Sequence, residues 1–289
     1  MPFVTAQDST EIYYKDWGTG MPVVLIHGWP LDSDMWEKQA NFLAAQNLRV
    51  ITYDRRGFGR SGQSWDGYNY DTFAADLNAV MEKLDLRGAT LAGFSMGGGE
   101  VVRYLSLYGT SRVNKAVLIS AVTPYLLKTA DNPEGVEQKI FDDMNENLLK
   151  DRQAFLKTFA PTFYGRTMLN HSVSEQVLEW TAAVAYRSSL RPTLGAAKAF
   201  AETDFRSDMA KITIPVRVIH GTSDAIVPID NSGRRSAKLL PNATLSEYEG
   251  EPHGLFFTSA DRLNAELVEF ITETKSPLSH AEVKNSEVF

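Results

Sequence analysis

With 289 residues, 43% hydrophobic and 22% charged, the chain can bury a sizeable core, which excludes wholesale disorder and allows one large domain or a domain carrying an insert. Its formal charge of -7 comes from interspersed acids and bases, so no basic stripe offers a face to nucleic acid. Cysteine is absent, which excludes disulfides, thiolate nucleophiles and cysteine-based metal sites.

The N-terminal stretch has no basic region followed by an apolar run, and runs such as Pro22 to Ile26 fall far short of the ~20 residues a membrane span needs. The default expectation is a cytoplasmic protein without a membrane partner. Val4 to Tyr14 reads as an antiparallel hairpin at a sheet edge. Met21–Ile26, Arg49–Tyr53, Ala89–Ala92, Lys115–Ile119 and Pro215–Ile219 are short, Val- and Ile-rich apolar runs, the pattern of strands buried on both faces of a parallel sheet. Helical patterns at Asp34–Ala45, Tyr70–Leu84 and Gly97–Tyr108 supply crossovers. In the second, Phe73, Leu77, Val80, Met81 and Leu84 form one apolar stripe.

The alternation breaks after Ala121. From about Val122 to Phe205 the pattern is helical throughout, in four pieces (Glu134–Leu149, Asp151–Phe159, Ser172–Ser188, Thr193–Glu202), and reads as a cap over the C-terminal edge of the sheet. A strand pattern returns at Ile214, continues at Thr244–Tyr248, and ends in an amphipathic helix over Ala260–Thr274. The expected organisation is an α/β core of residues 1–121 and 206–275, a helical cap of 122–205 and a polar tail of 276–289.

Gly93-Phe94-Ser95-Met96-Gly97 matches G-x-S-x-G and sits between a strand and a helix, where a tight turn presents a serine hydroxyl at the sheet edge. Such a serine needs a base, oriented in turn by a carboxylate. Of the five histidines, His280 lies in the tail and His171 among polar residues of the cap. His27 opens a loop, and His220 ends a strand as a buried support. His253 follows the last strand in Glu251-Pro-His-Gly and is the expected base. The acid should lie between serine and base in the chain. Asp224, after the strand that re-enters the sheet, fits. Asp54 precedes the serine and reads as a carboxylate bonded to its own loop. Two N–H donors for an oxyanion are expected from Met96, at a helix start, and Trp29, in His27-Gly-Trp-Pro30. Pro30 cannot donate but fixes that loop. An apolar acyl pocket is expected from Pro30, Phe94, Val122, Phe141, Phe159, Phe163, Ile226 and Val227.

From Tyr13 to about Lys275 the chain resembles the α/β-hydrolase family, and more closely its cofactor-free (non-haem) haloperoxidases and aryl esterases. The residues that carry this are Tyr14-Lys-Asp-Trp-Gly18, His27–Pro30, Tyr53-Asp-Arg-Arg-Gly-Phe-Gly-Arg-Ser61, Tyr70–Ala74, Gly93–Glu100, Ala201–Arg206 and Glu251–Gly254. The resemblance implies an α/β-hydrolase fold with a mostly parallel eight-stranded sheet, helices on both faces and a helical cap. It implies the triad Ser95, Asp224 and His253, donors Trp29 and Met96, and a homo-oligomer. It also implies two activities at one site. A small ester or short carboxylic acid acylates Ser95, and either water or hydrogen peroxide takes the acyl group. Peroxide yields a peracid that oxidises halide, with no metal or other cofactor. A C–C bond hydrolase, a lactonase or amidase, and a non-catalytic binding protein of the same fold remain alternatives. Epoxide hydrolases and dehalogenases are disfavoured, because they carry aspartate where this chain has Ser95.

Overall fold

The computed structural model describes residues 2–273. Eight strands form one sheet: β1 (Phe3–Thr5), β2 (Glu11–Trp17), β3 (Met21–Ile26), β4 (Leu48–Tyr53), β5 (Ala89–Phe94), β6 (Val113–Ile119), β7 (Val216–Gly221) and β8 (Ala243–Tyr248), in the spatial order β1-β2-β4-β3-β5-β6-β7-β8. β1 and β2 are the expected antiparallel hairpin, and β2 runs antiparallel to β4; every pairing from β4 through to β8 is parallel. β5 is buried along its whole length, which is why it reads in the sequence as an unbroken apolar run.

The chain moves outward from β3 to β4, then crosses back to place β5 on the other side of β3. The order of the sheet therefore reverses between β3 and β5, and the loops leaving their C-terminal ends diverge to leave a crevice there. Ile26 pairs with Gly93 across this boundary, so the loop after β3 and the turn after β5 start side by side.

The helices are α1 (Glu37–Ala45), α2 (Tyr70–Lys83), α3 (Met96–Tyr108), α4 (Gln138–Phe163), α5 (Glu175–Tyr186), α6 (Leu190–Glu202), α7 (Arg206–Met209), α8 (Gly233–Leu239), α9 (Leu255–Thr258) and α10 (Ala260–Thr272). α1 packs with α10 and α2 with α3. Right-handed crossovers put these pairs on opposite faces of the sheet. Asn69 starts α2 where its side chain accepts from the Thr72 N–H, 3.0 Å away. α8, the crossover from β7 to β8, was not expected from the sequence; it is seven residues long with a weak apolar face.

α4 to α7 separate β6 from β7 in the chain, and α4 packs against α5 and α6. The sequence places a helix boundary at Asp151, and α4 breaks there: Asp151 has φ -159° and ψ 88°. Its carboxylate accepts from the Ala154 N–H at 2.9 Å, so it caps the second half of the helix. The first helix begins at Gln138 rather than Glu134, because residues 127–136 form a small loop with two isolated bridges, Leu127 to Val136 and Thr129 to Asn132. No helix among the described residues is long and apolar enough to cross a membrane. The polar tail of 276–289, with His280, lies outside the described residues.

Candidate active site

Ser95 sits between β5 and α3 with φ 53° and ψ -119°. A non-glycine residue in that region costs of order 1–3 kcal/mol and persists only when its surroundings hold it. Here they do: the Ser95 N–H donates to Ile119 O at 2.8 Å, and the Ser95 carbonyl accepts from Gly98 and Val122 at 3.0 and 3.2 Å. The flanking glycines are required by contact. A Cβ on Gly93 would lie 2.3 Å from Gly97 O, and one on Gly97 would lie 2.4 Å from Ile26 O. The second contact shows how closely the start of α3 abuts the loop after β3.

His253 lies between β8 and α9, and Asp224 lies just beyond β7. His253 Nε2 is 3.1 Å from Ser95 Oγ, and His253 Nδ1 is 2.7 Å from Asp224 Oδ2. A carboxylate only accepts, so the proton is on Nδ1 and Nε2 is free to accept from the serine hydroxyl. All three side chains are buried. Asp224 Oδ1 accepts from the N–H groups of Ile226 and Val227 at 2.9 and 2.8 Å. Burial pushes the Asp224 carboxyl up, but the His253 charge and hydrogen bonds from His220 and His253 outweigh it and hold the group well below the usual carboxylate range.

The structure thus brings together Ser95, His253 and Asp224, from three different strand ends. It puts the other histidines elsewhere. His220 is buried behind Asp224, with Nε2 2.8 Å from Val227 O and 3.2 Å from Asp224 Oδ2. His171 is on the surface, 3.3 Å from Met168 O. His27 is fully enclosed and held neutral by burial and the Arg55 cation, which bring it down to about 3. Asp54 accepts from the N–H groups of Ser33 and Arg60 at 2.9 and 2.7 Å, the loop role read for it from the sequence.

Met96 is the first residue of α3, so its N–H has no partner within the helix. Trp29 follows β3 and lines the same cavity as Ser95. Its indole N–H donates to the Thr193 carbonyl of α6, 3.0 Å away. The Trp29–Pro30 peptide is cis.

A cavity of about 340 Å³ opens over Ser95 between the sheet edge and the helical segment. Val122, Phe141, Phe159, Ile226 and Val227 line it, as expected. Pro30, Phe94 and Phe163 do not, and the expectation for these three is corrected. Phe94 is the last residue of β5, and its ring centroid is 4.8 Å from that of His253. Phe163, at the end of α4, lies 5.0 Å from the same ring. The two rings pack against the imidazole. Pro30 is buried in the loop after β3. Ile140, Met144 and Asn147 of α4, together with Phe155 and Phe200, are among the further lining residues that were missed, as are Leu126, Val136, Asp143 and Ala225. The spacing of Ile140, Met144 and Asn147 by four and three residues puts them on one helix face, a signal that was available in the sequence. Among the described residues, no group of three or more His, Cys, Asp or Glu side chains is arranged to hold a metal ion.

A strained serine at a strand-to-helix turn, at the point where the sheet reverses order, defines the fold class. The chain belongs to the α/β-hydrolase fold family, which matches residues 21–260, and within it to the non-haem haloperoxidase and esterase group. It is 46% identical over 276 residues to a putative non-heme chloroperoxidase of Synechocystis sp., covering 94% of this chain and 100% of the relative. It is 43% identical over 282 residues to a bifunctional esterase/perhydrolase of Acinetobacter calcoaceticus, covering 94% and 99%. The crystal structure of a bromoperoxidase from Bacillus anthracis, 45% identical, superposes with a TM-score of 0.91 over 94% of this chain and 99% of that one.

Proposed function

We propose that the protein is a serine esterase of small, apolar esters that also makes peracids when hydrogen peroxide replaces water. The observation that carries this is the Ser95–His253–Asp224 chain of hydrogen bonds at the floor of an apolar cavity. Ser95 Oγ attacks the acyl carbon and its proton passes to His253 Nε2. The negative oxygen of the tetrahedral intermediate is met by the N–H groups of Trp29 and Met96. His253 then gives its proton to the departing alkoxide, leaving an acyl-serine. Water, losing a proton to His253, releases a carboxylic acid; hydrogen peroxide, by the same route, releases a peracid. In both cases Ser95 leaves as the alkoxide and recovers its proton from His253. The peracid transfers its terminal oxygen, with its proton, to halide away from the site, giving carboxylate and hypohalous acid. The small carboxylic acid is itself an acyl donor, with water as the leaving group. Asp224 holds the imidazole in the tautomer that begins the cycle. The helical segment serves as the cap that closes the acyl site.

The test combines a label with a rate. A fluorophosphonate should modify Ser95, and p-nitrophenyl acetate should be hydrolysed in water and converted to peracetic acid when peroxide is added. Ser95→Ala and His253→Ala should each lower ester turnover by about 10⁴ or more. An unlabelled Ser95, or substantial turnover in either variant, overturns the assignment.

A further inference from the structure

We propose that Arg55, paired with Glu100, is a positioning residue that holds both oxyanion donors in register. The inference rests on the reading of Trp29 and Met96 as those donors. Arg55 lies two residues beyond β4 and Glu100 is in α3, and both side chains are 0% exposed. The guanidinium meets Glu100 Oε2 through Nε at 2.7 Å and Nη2 at 2.6 Å. The same Nη2 donates to the carbonyl oxygen of His27 at 2.9 Å. The backbone N–H of Arg55 donates to His27 Nε2 at 2.9 Å, and His27 Nδ1 donates to Gly28 O at 3.0 Å. Tyr53 donates its hydroxyl proton to the other Glu100 oxygen.

One arginine therefore ties together the two elements that carry the donors. Glu100 is one helical turn beyond Met96, and the His27 carbonyl is two residues before Trp29. An oxyanion hole works only when its donors lie about 2.7–3.1 Å from where the charge forms, so the spacing between loop and helix matters to a fraction of an ångström. A buried ion pair is poor at stabilising a fold, because desolvation consumes most of the attraction. An apolar pair of similar volume would fill the same space. What such a pair cannot supply is the directed bond to the His27 carbonyl. Because His27 is held neutral, its Nε2 accepts from the Arg55 N–H throughout the working range, and the anchor does not switch with pH.

The test compares wild type with Arg55→Lys and with the double variant Arg55→Met/Glu100→Leu, which leaves no unpaired buried charge. p-Nitrophenyl acetate is the substrate. An aryl trifluoromethyl ketone is the probe, because its hemiketal with a serine places an oxyanion in the hole. The double variant should fold, by near-ultraviolet circular dichroism, with kcat about 10²-fold lower and KM changed by less than about threefold. Trifluoromethyl ketone affinity should weaken by the same factor as kcat/KM, with an unchanged pH midpoint, because His253 and Asp224 are untouched. If the double variant does not fold, Arg55→Lys carries the test: the ammonium keeps the charge but lacks the fork, and a parallel loss of about tenfold is expected. A folded variant with near-normal kcat overturns the proposal, and so does a loss of kcat with ketone affinity intact. If fluorine NMR shows no ketone adduct on the wild-type enzyme, the serine-nucleophile reading fails first and this one falls with it.

Discussion

Replacing Asp32 by asparagine should reverse a pH-dependent loss of stability. Asp32 lies just past the Trp29–Pro30 loop, its side chain 1% exposed. It accepts from the Asp34 N–H at 2.9 Å and from Arg187 Nη2, at the end of α5, at 2.9 Å. Burial, and then the neighbouring Asp54 carboxylate, push its own carboxyl up from 3.8 to about 7. Between these two values the folded protein holds a proton that the unfolded chain has lost. The stability this contributes is complete below about pH 4, falls as pH rises, and is gone above about pH 7. At about 1.4 kcal/mol per tenfold change in proton affinity, the full swing is about 4 kcal/mol. Asparagine does not titrate and keeps an oxygen for the Asp34 N–H. Urea unfolding of both proteins at pH 4.5, 6, 7 and 8 should therefore show the variant gaining on wild type up to about pH 7 and levelling off beyond it. Asp34 and Asp54, whose carboxyls are held low, titrate below the pH range sampled. A difference that does not change with pH, or that moves in wild type's favour as pH rises, refutes the reasoning.

Asp224→Asn should lower kcat for p-nitrophenyl acetate by about 10³–10⁴, because asparagine no longer fixes the His253 tautomer; a larger loss from Asp54→Asn would show that the wrong acid was assigned. The depressed Asp224 carboxyl stabilises the fold above its unfolded value of 3.8 and loses this contribution as pH falls below it, so Asp224→Asn should be less sensitive than wild type in acid unfolding followed by circular dichroism. Gly97→Ala places a Cβ 2.4 Å from Ile26 O and 2.9 Å from His27 O, both backbone atoms that cannot swing aside. It should cost about 1–3 kcal/mol in urea unfolding and reduce turnover by shifting the Met96 N–H. Pro30→Leu, by freeing the backbone beside Trp29, should lower the ratio of peracid to acid formed at fixed peroxide; an unchanged ratio would show that Pro30 has no part in handling peroxide.

What was legible in the sequence follows from how parallel sheets bury their strands. A strand covered on both faces reads as an apolar run, and Ser95 and Asp224 each follow such a run; His253 instead follows β8, a partly exposed edge strand of mixed sequence, and was legible from its place between the last strand and the last helix. Their meeting could be argued from chain order alone. α8 escaped because seven residues such as Gly-Arg-Arg-Ser-Ala-Lys-Leu carry little periodicity, although a parallel β7–β8 pair demands a crossover there. The pocket was half legible. Aromatic identity marked Phe94, Phe159 and Phe163 as lying near the site, but it cannot say which of them borders the cavity and which packs on His253. Arg55 was invisible as a buried group, since an arginine in a turn is ordinarily solvated. Only the contacts with Glu100 and His27 reveal it.

The loop from His27 to Asp34 is held from more than one direction. Arg55 holds it from the core through the His27 carbonyl. The helical segment holds it through the Trp29 indole bond to Thr193 O and through Arg187, which reaches both Asp32 and Asp34. Phe159 and Phe200 pack edge-on against the Trp29 ring from the cavity side. A donor fixed in this way cannot shift without moving α6 or breaking a buried hydrogen bond. On the proposed reading, the acyl group would meet an oxyanion site already in place, and preorganisation of that kind is what stabilises a transition state more than a substrate. It also bears on the choice between water and peroxide. In the proposed mechanism both nucleophiles use the same base and the same donors, so discrimination between them must come from groups that touch the second oxygen of peroxide. The Trp29–Pro30 backbone is the part of this loop where a proline removes a donor and fixes the chain, and Pro30→Leu tests whether that is where the selection is made.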